Sequence, residues 1–262
     1  MAINGREYGS KGPSTAPVET KSDSSSSSHA LNLGKVFGIM FIWLLVTAGI
    51  AIGLGYLFND WLNQPGQLEN AFNTIFIVLI GSAIVLIINT LIIQFFALKK
   101  GKGMIVLSSI SVIATGVLCS SVTLYIDWYI LGVALGITTA IFGVLALIGF
   151  LARNIKPIAM IAIMIFVGAA ITGLVTWLVI LFSGGRISGN MSTILWIVDF
   201  AIFGAMLLMI IVDLNRINKI CKSGEEVSTN LTLYCALTLY TDFVYIFLKI
   251  VYYIAIFAQK SN

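Results

Sequence analysis

Histidine is almost absent from this sequence, and its few cysteines form no pattern that could hold a metal ion. The one histidine, His29, lies in a polar N-terminal segment, and Cys119, Cys221 and Cys235 have no paired spacing. These absences exclude zinc or haem held by histidine in the apolar part of the chain, and hydrolysis by a Ser–His pair there. The cysteines indicate neither a disulfide framework nor a zinc site.

Charge is also scarce. Only 10% of the 262 residues are charged and 59% are hydrophobic, with a mean hydropathy of +1.02. A soluble globule of this length needs far more polar residues to cover its surface. The composition therefore predicts a polytopic membrane protein.

Seven apolar runs are each long enough to cross a membrane. About 20 residues of α-helix span a ~30 Å hydrocarbon core, where a helix satisfies its own backbone groups. We therefore predict an all-α membrane fold of seven transmembrane helices. The predicted spans are Lys35 to Phe58, Ala71 to Leu98, Met104 to Ile126, Trp128 to Leu151, Pro157 to Phe182, Ser192 to Leu214 and Leu231 to Ala258.

The N-terminal segment differs from the rest. It contains the serine run Ser24 to Ser28 and too few apolar residues to offset the entropy lost on ordering. We predict a disordered, Ser-rich cytosolic tail over residues 1–32, followed by the transmembrane domain over residues 33–262.

Basic residues alternate from loop to loop. The loops after spans two, four and six are basic, whereas the alternate loops carry Asp60, Glu69, Asp127 and one Arg186. Because basic loops stay in the cytosol, the alternation places the N-terminus there and accounts for the net charge of +4 without a nucleic-acid partner. The basic loop residues are Lys99, Lys100, Lys102, Arg153, Lys156, Arg216, Lys219 and Lys222.

Four ionisable residues lie inside the predicted spans: Asp199, Asp213, Asp242 and Lys249. An aspartate at mid-bilayer costs roughly 2.5 to 3.5 kcal/mol, so such residues usually face a bundle interior, a partner or a hydrated path. Asp242 stands near the middle of the last span. It is therefore the foremost functional residue predicted from the sequence.

Helical periodicity gives helices six and seven one polar face each. Asp199 and Asp213 are fourteen positions apart, close to four turns, so both point the same way. Asp242 and Lys249 share a side of helix seven, ~10 Å apart along its axis. We expect Lys249 to snorkel outward rather than bond Asp242. For Asp213, a solvent-exposed pair with Arg216 is the alternative to a role beside Asp242.

Small residues recur at four-residue spacing, as in Gly49 with Gly53, Gly132 with Gly136 and Ala169 with Gly173. This spacing allows two helix backbones to approach closely in a membrane. We expect these small residues to mark helix contacts within the bundle.

Three segments resemble the Bax inhibitor-like (transmembrane Bax inhibitor-motif) family. The stretch Ala236-Leu-Thr-Leu-Tyr-Thr-Asp-Phe-Val-Tyr-Ile-Phe247 resembles its last-helix signature. Leu208-Met-Ile-Ile-Val-Asp-Leu-Asn-Arg-Ile217 is similar to the end of its sixth helix, and Met40-Phe-Ile-Trp-Leu-Leu-Val-Thr-Ala-Gly-Ile-Ala51 to its first helix. By span number and order, the resemblance extends over residues 35–258.

The resemblance implies a bundle whose last helix is central and wrapped by the other six. It also implies that Asp213 and Asp242 form a pH-sensitive pair that gates a passive calcium leak. No enzymatic activity and no tightly bound cofactor are implied, and Ca²⁺ is the transported ion. The short C-terminus lacks the lysine-rich tail of some eukaryotic relatives, which favours a prokaryotic plasma membrane over the endoplasmic reticulum.

The sequence departs from the family pattern at several positions. Leu214 and Asn215 replace the usual Thr-Gln, Val212 replaces a Tyr, and Tyr245 replaces an Asn. Helix two has no arginine to latch the helix-six aspartate. Gln94 and Lys99 are the substitutes that this part of the sequence offers.

The chemistry of the aspartates fits a weak ion site. Calcium prefers carboxylate and carbonyl oxygens, so Asp213 and Asp242 on adjacent helices are the predicted ligands and pH sensor. Two carboxylates close together in low dielectric resist double ionisation and titrate as a coupled pair. Asp199, Lys249 and Arg216 are accessory candidates.

The leading hypothesis is a pH-sensitive calcium leak channel in the lipid bilayer. An intramembrane aspartyl protease is one alternative, because it too needs two aspartates on neighbouring helices. A membrane scaffold that binds other membrane proteins, in which the aspartates only join helices, is the other.

Overall fold

The computed structural model describes residues 29–30, 32–64, 66, 68–96, 103–182, 189–223 and 226–260. Seven α-helices in these residues are long and apolar enough to cross a membrane, which confirms the predicted all-α membrane fold. The helices are α1 (Leu33–Leu62), α2 (Leu68–Phe96), α3 (Gly103–Tyr125), α4 (Trp128–Leu151), α5 (Lys156–Phe182), α6 (Gly189–Ser223) and α7 (Thr229–Lys260).

The segment before α1 contacts the connection between α6 and α7. The two-residue strands β1 (His29–Ala30) and β2 (Glu226–Val227) pair antiparallel, with His29 opposite Val227. Asn32 then caps α1, because its side-chain oxygen accepts a hydrogen bond of 2.9 Å from the Gly34 amide. The predicted tail falls mainly on residues 1–28, which lie outside the described residues.

The last helix lies against much of the bundle. It packs against α1, α3, α4 and α6, and it carries several of the most buried side chains, including Leu239, Tyr240 and Ile246. The hydroxyl groups of Tyr240 and Thr47 share a hydrogen bond of 2.6 Å that links α7 to α1. That all six other helices wrap α7 stays a prediction.

Helices α2 and α5 bury less of their surface than α3, α4 and α7. Helix α2 is anchored on α3 by Asn89, whose amide nitrogen donates to the Leu107 carbonyl and the Ser111 hydroxyl, each at 2.7 Å. An amide inside a membrane requires such partners, because lipid supplies none. Helix α5 packs chiefly against α6.

Only part of the predicted small-residue spacing lies at helix contacts. A Cβ atom built on Gly49, Gly53, Gly132 or Gly136 would meet nothing within 4 Å, so these four glycines mark no close helix contact within the residues that the structure describes. Gly149 does mark one, because its Cβ would lie 2.9 Å from the Leu214 Cβ and 3.1 Å from the Ile211 carbonyl oxygen. The motif Ala169 with Gly173 does lie at a contact, because a Cβ on Gly173 would be 3.5 Å from Val198 Cγ1 of α6.

Helix α6 is longer than the apolar run that predicted it. The predicted span ended at Leu214, whereas the helix continues to Ser223, so Arg216, Lys219 and Lys222 lie on α6 and not in a loop. At 1.5 Å per residue, its 35 residues extend ~52 Å, well beyond a ~30 Å hydrocarbon core. Polar residues can therefore continue the helix outside the lipid.

Candidate functional site

Asp242 lies half-buried in the middle of α7. Its Oδ2 atom is enclosed by protein and has no hydrogen-bond partner in the part of the chain that the structure describes. Among the described residues no basic side chain forms an ion pair with it, but the charge of Asp213 acts on it from α6. Asp242 is thus a carboxylate in the bundle that protein groups leave only partly satisfied.

Asp213 has a basic neighbour on its own helix. An Arg216 Nη1 atom lies 3.5 Å from Asp213 Oδ1, with side-chain exposures of 62% for the arginine and 23% for the aspartate. The solvent-exposed pair that the sequence offered as an alternative is therefore present. Asp213 also lies within electrostatic range of Cys235 on α7.

The register of α6 against α7 follows from a second ion pair. Lys249 on α7 donates a hydrogen bond to Asp199 Oδ1 on α6. Asp213 lies fourteen residues after Asp199 on α6, and Cys235 lies fourteen residues before Lys249 on α7. Asp213 and Cys235 should therefore lie at the same level of the two helices, which agrees with the electrostatic effect of Asp213 on Cys235. Seven further residues to Asp242 then correspond to ~10 Å along the helix axis.

This register offsets Asp213 and Asp242 along the two helix axes, and their predicted roles as sensor, gate and metal ligands stay predictions. No hydrogen bond joins Asp213 to Asp242, so the two carboxyl groups interact through space and not as a bonded pair. The reason is axial offset, since both residues face the neighbouring helix but at different levels. Both residues remain candidates for the sensor, with Asp242 the more enclosed of the two.

The contacts of Lys249 also differ from the expected outward extension of its side chain. It does not extend alone toward the membrane surface but bonds Asp199, whose Oδ2 accepts a second hydrogen bond of 3.0 Å from the Tyr253 hydroxyl. The ammonium group lies 5.5 Å from the ring centre of Tyr252 and 6.0 Å from that of Tyr253. The accessory candidates Asp199 and Lys249 therefore form a site of their own, ~21 Å along α6 from Asp213.

Two asparagines position the C-terminal part of α6, and of these the sequence analysis named only Asn215, as a departure from the family pattern. The Asn215 amide nitrogen donates to the carbonyl oxygens of Gly149 and Ala152 at 2.7 and 2.6 Å, and Asn218 donates to Phe150 at 3.3 Å. These carbonyls belong to the end of α4, where no next helical turn can bond them. Two asparagines three residues apart, beside the aspartate, were the available signal.

Comparison with known proteins covers nearly the whole chain. Residues 30–260 match the family model described as inhibitor of apoptosis-promoting Bax1. The chain belongs to this Bax inhibitor-like family. No significant match to a curated protein or to a solved structure is found.

Within the described residues of this Bax inhibitor-like protein, α2 places no basic residue beside Asp213 that could act as the expected latch. Gln94 is exposed on α2, a helix that packs mainly against α3, and Lys99 lies outside the described residues. The basic residue that Asp213 does contact, Arg216, is on the same helix. A pair within one helix cannot hold two helices together.

The carboxylates of this Bax inhibitor-like protein are spread out. Within the described ranges, no three His, Cys, Asp or Glu side chains come together in a way that could hold a metal ion. A cation at Asp242 would therefore have few protein ligands and would keep much of its water, which corresponds to weak and transient binding.

Proposed function

We propose that this Bax inhibitor-like protein conducts a passive, pH-sensitive leak of Ca²⁺, with Asp242 as the ion and proton site. The observation that carries the proposal is the enclosed Oδ2 atom of Asp242, which no protein group bonds. A carboxylate oxygen left without a partner in low dielectric is costly. Either a proton or a cation would remove that cost.

Competition between a proton and Ca²⁺ for the Asp242 carboxylate would make conduction depend on pH. A protonated Asp242 is neutral and a poor ligand for Ca²⁺, whereas the deprotonated form attracts the ion. Asp213 adds negative charge within range of the same site. We infer that the leak rises as pH rises through the range in which the two carboxyl groups titrate.

The opposite direction would follow from a basic latch. If an arginine or lysine on another helix held Asp213, acid would neutralise the aspartate, release the latch and raise the leak. The contact of Asp213 with Arg216 lies within α6 and has no such effect on helix packing. This favours the ion-site account.

The test is Ca²⁺ flux into liposomes between pH 5 and 8. We expect the wild-type leak to increase with pH, and Asp242→Asn to reduce the leak and remove most of its pH dependence. Asp127→Asn is the matched control, because Asp127 is exposed and its side chain forms no cap hydrogen bond at the start of α4. A leak that increases on acidification would reject the ion-site account, and an unaltered profile in Asp242→Asn would reject the sensor.

The two alternatives remain testable beside the leak. An aspartyl protease needs two carboxyl groups that share a proton, and Asp213 and Asp242 have no hydrogen bond between them. A scaffold would conduct no Ca²⁺, whether or not Asp213 and Asp242 are present. Cleavage of transmembrane peptides by the purified protein would support the protease, and a complete lack of flux without cleavage would support the scaffold.

A further inference from the structure

A second polar site lies between α6 and α7, away from Asp213 and Asp242. Asp199 forms its centre, with Lys249 on one carboxylate oxygen and the Tyr253 hydroxyl on the other. The side chains of Lys249 and Asp199 remain 22% and 31% exposed. The ion pair is therefore partly accessible although it lies within both spans.

A recess borders this ion pair. It has a volume of about 340 Å³ and is lined by Leu195, Trp196, Asp199 and Tyr252. The indole of Trp196 stacks on the Tyr252 ring, with centres 6.3 Å apart. The Asp199 carboxylate thus borders an open recess as well as the ammonium group of Lys249.

The groups around the ammonium are those that bind cations. A carboxylate supplies charge, a phenol oxygen supplies a further hard donor, and aromatic ring faces attract positive charge. In this structure the ammonium group of Lys249 is the cation at these groups. Its positive charge balances the negative charge of Asp199. Without its charge, one uncompensated carboxylate would border the recess.

We propose that the Asp199 cluster is a second cation site, separate from Asp242, and that Lys249 is a tethered cation that occupies it. Hard divalent or trivalent cations bind Asp199 from the recess when the lysine charge is removed. Lys249 therefore keeps such ions away from this end of the α6–α7 interface. The proposal does not rest on the calcium leak.

Binding of Tb³⁺ tests this directly, because Trp196, Tyr252 and Tyr253 can sensitise its luminescence at this site. All measurements use the full chain with Asp242→Asn, so that the leak site proposed above does not contribute. Lys249→Met should raise the affinity for Tb³⁺ by about tenfold or more. Ca²⁺ should compete with that signal, and adding Asp199→Asn should abolish it.

Lys249→Arg is the matched control, because it keeps the positive charge and should behave like the lysine form. A folded Lys249→Met protein with no Asp199-dependent Tb³⁺ signal would overturn the proposal and leave the pair as a helix contact only. If Lys249→Met does not fold, Lys249→Gln removes the same charge and keeps a polar side chain of similar length. A Tb³⁺ signal in this variant that Asp199→Asn removes supports the site, and a folded Lys249→Gln protein without such a signal overturns it.

Discussion

Asp242 and Asn215 each have one enclosed side-chain oxygen without a hydrogen bond, and their chemistry gives the two oxygens different consequences. Asn215 is neutral, and its amide nitrogen already bonds two carbonyl groups of α4. The side-chain oxygen of Asn215 can accept a hydrogen bond but cannot change its charge. Asp242 can change its charge, so the same lack of a partner makes it responsive to protons and cations.

The coupling between the two aspartates can be measured at the level of residues. Because Asp213 and Asp242 share no hydrogen bond, we expect Asp213→Asn and Asp242→Asn to be nearly additive in the free energy of unfolding, with a coupling below about 1 kcal/mol. Thermal unfolding of both single variants and the double variant gives the value. A coupling near ~3 kcal/mol would mean that the carboxyl groups bond directly.

Asn215 offers a second prediction at this scale. Asn215→Ala should lower the free energy of unfolding by about 1 to 3 kcal/mol, because it leaves carbonyl groups at the end of α4 without donors. Asn73→Ala is the control, since Asn73 is exposed on α2 and should change stability little. Equal stability of the two variants would show that the contacts of Asn215 with α4 contribute nothing.

At the scale of the helices, one glycine sets how closely α4 approaches α6. Gly149 allows α4 to approach Leu214 and Ile211 of α6, and the asparagine hydrogen bonds lie on the same contact. The position of α6, and with it of Asp213, therefore depends on a glycine outside the functional site.

The prediction for this contact uses two glycines of one helix. Gly149→Ala should destabilise the protein by about 1 to 3 kcal/mol, because the new methyl group has no room beside Leu214. Gly143→Ala should be neutral or stabilising by up to about 1 kcal/mol, because nothing lies near its Cβ position and alanine favours a helix. Thermal unfolding compares the two, and a stable Gly149→Ala protein would contradict the close approach.

At the scale of the whole molecule, the orientation in the membrane decides which site faces which compartment. The alternation of basic loops predicts that Asp213 lies toward the cytosol and Asp199 toward the opposite side. The pairing of His29–Ala30 with Glu226–Val227 brings the start of the bundle and the α6–α7 connection to one end, as an even number of intervening spans requires.

Cysteine labelling tests the orientation. In a chain without its three native cysteines, cysteines introduced at Ser183 and Ser223 should react from opposite sides of the membrane, with Ser223 cytosolic. A membrane-impermeant thiol reagent applied before and after permeabilisation makes the measurement. Reaction of both positions from one side would contradict the seven-span topology.

The sequence by itself determined the number of helices, the residues that carry charge inside them and the family. These properties depend on local hydropathy and on short signatures, as in the last helix around Asp242. Even the shared polar face of Asp199 and Asp213 followed from helical periodicity alone, and both residues do act on groups of α7.

Only the tertiary structure decided which of those charges meet. Lys249 bonds Asp199, whereas Asp213 acts on both Cys235 and Asp242 without a hydrogen bond to either, because the axial register of two helices depends on side chains far apart in the sequence. The glycine spacing on α1 and α4 marked no helix contact for the same reason, since spacing defines a face of a helix but not the helix that this face meets. Contacts between helices, such as that of Gly149 with Leu214, fix both the axial register and the choice of neighbouring helix. No local sequence pattern encodes these contacts.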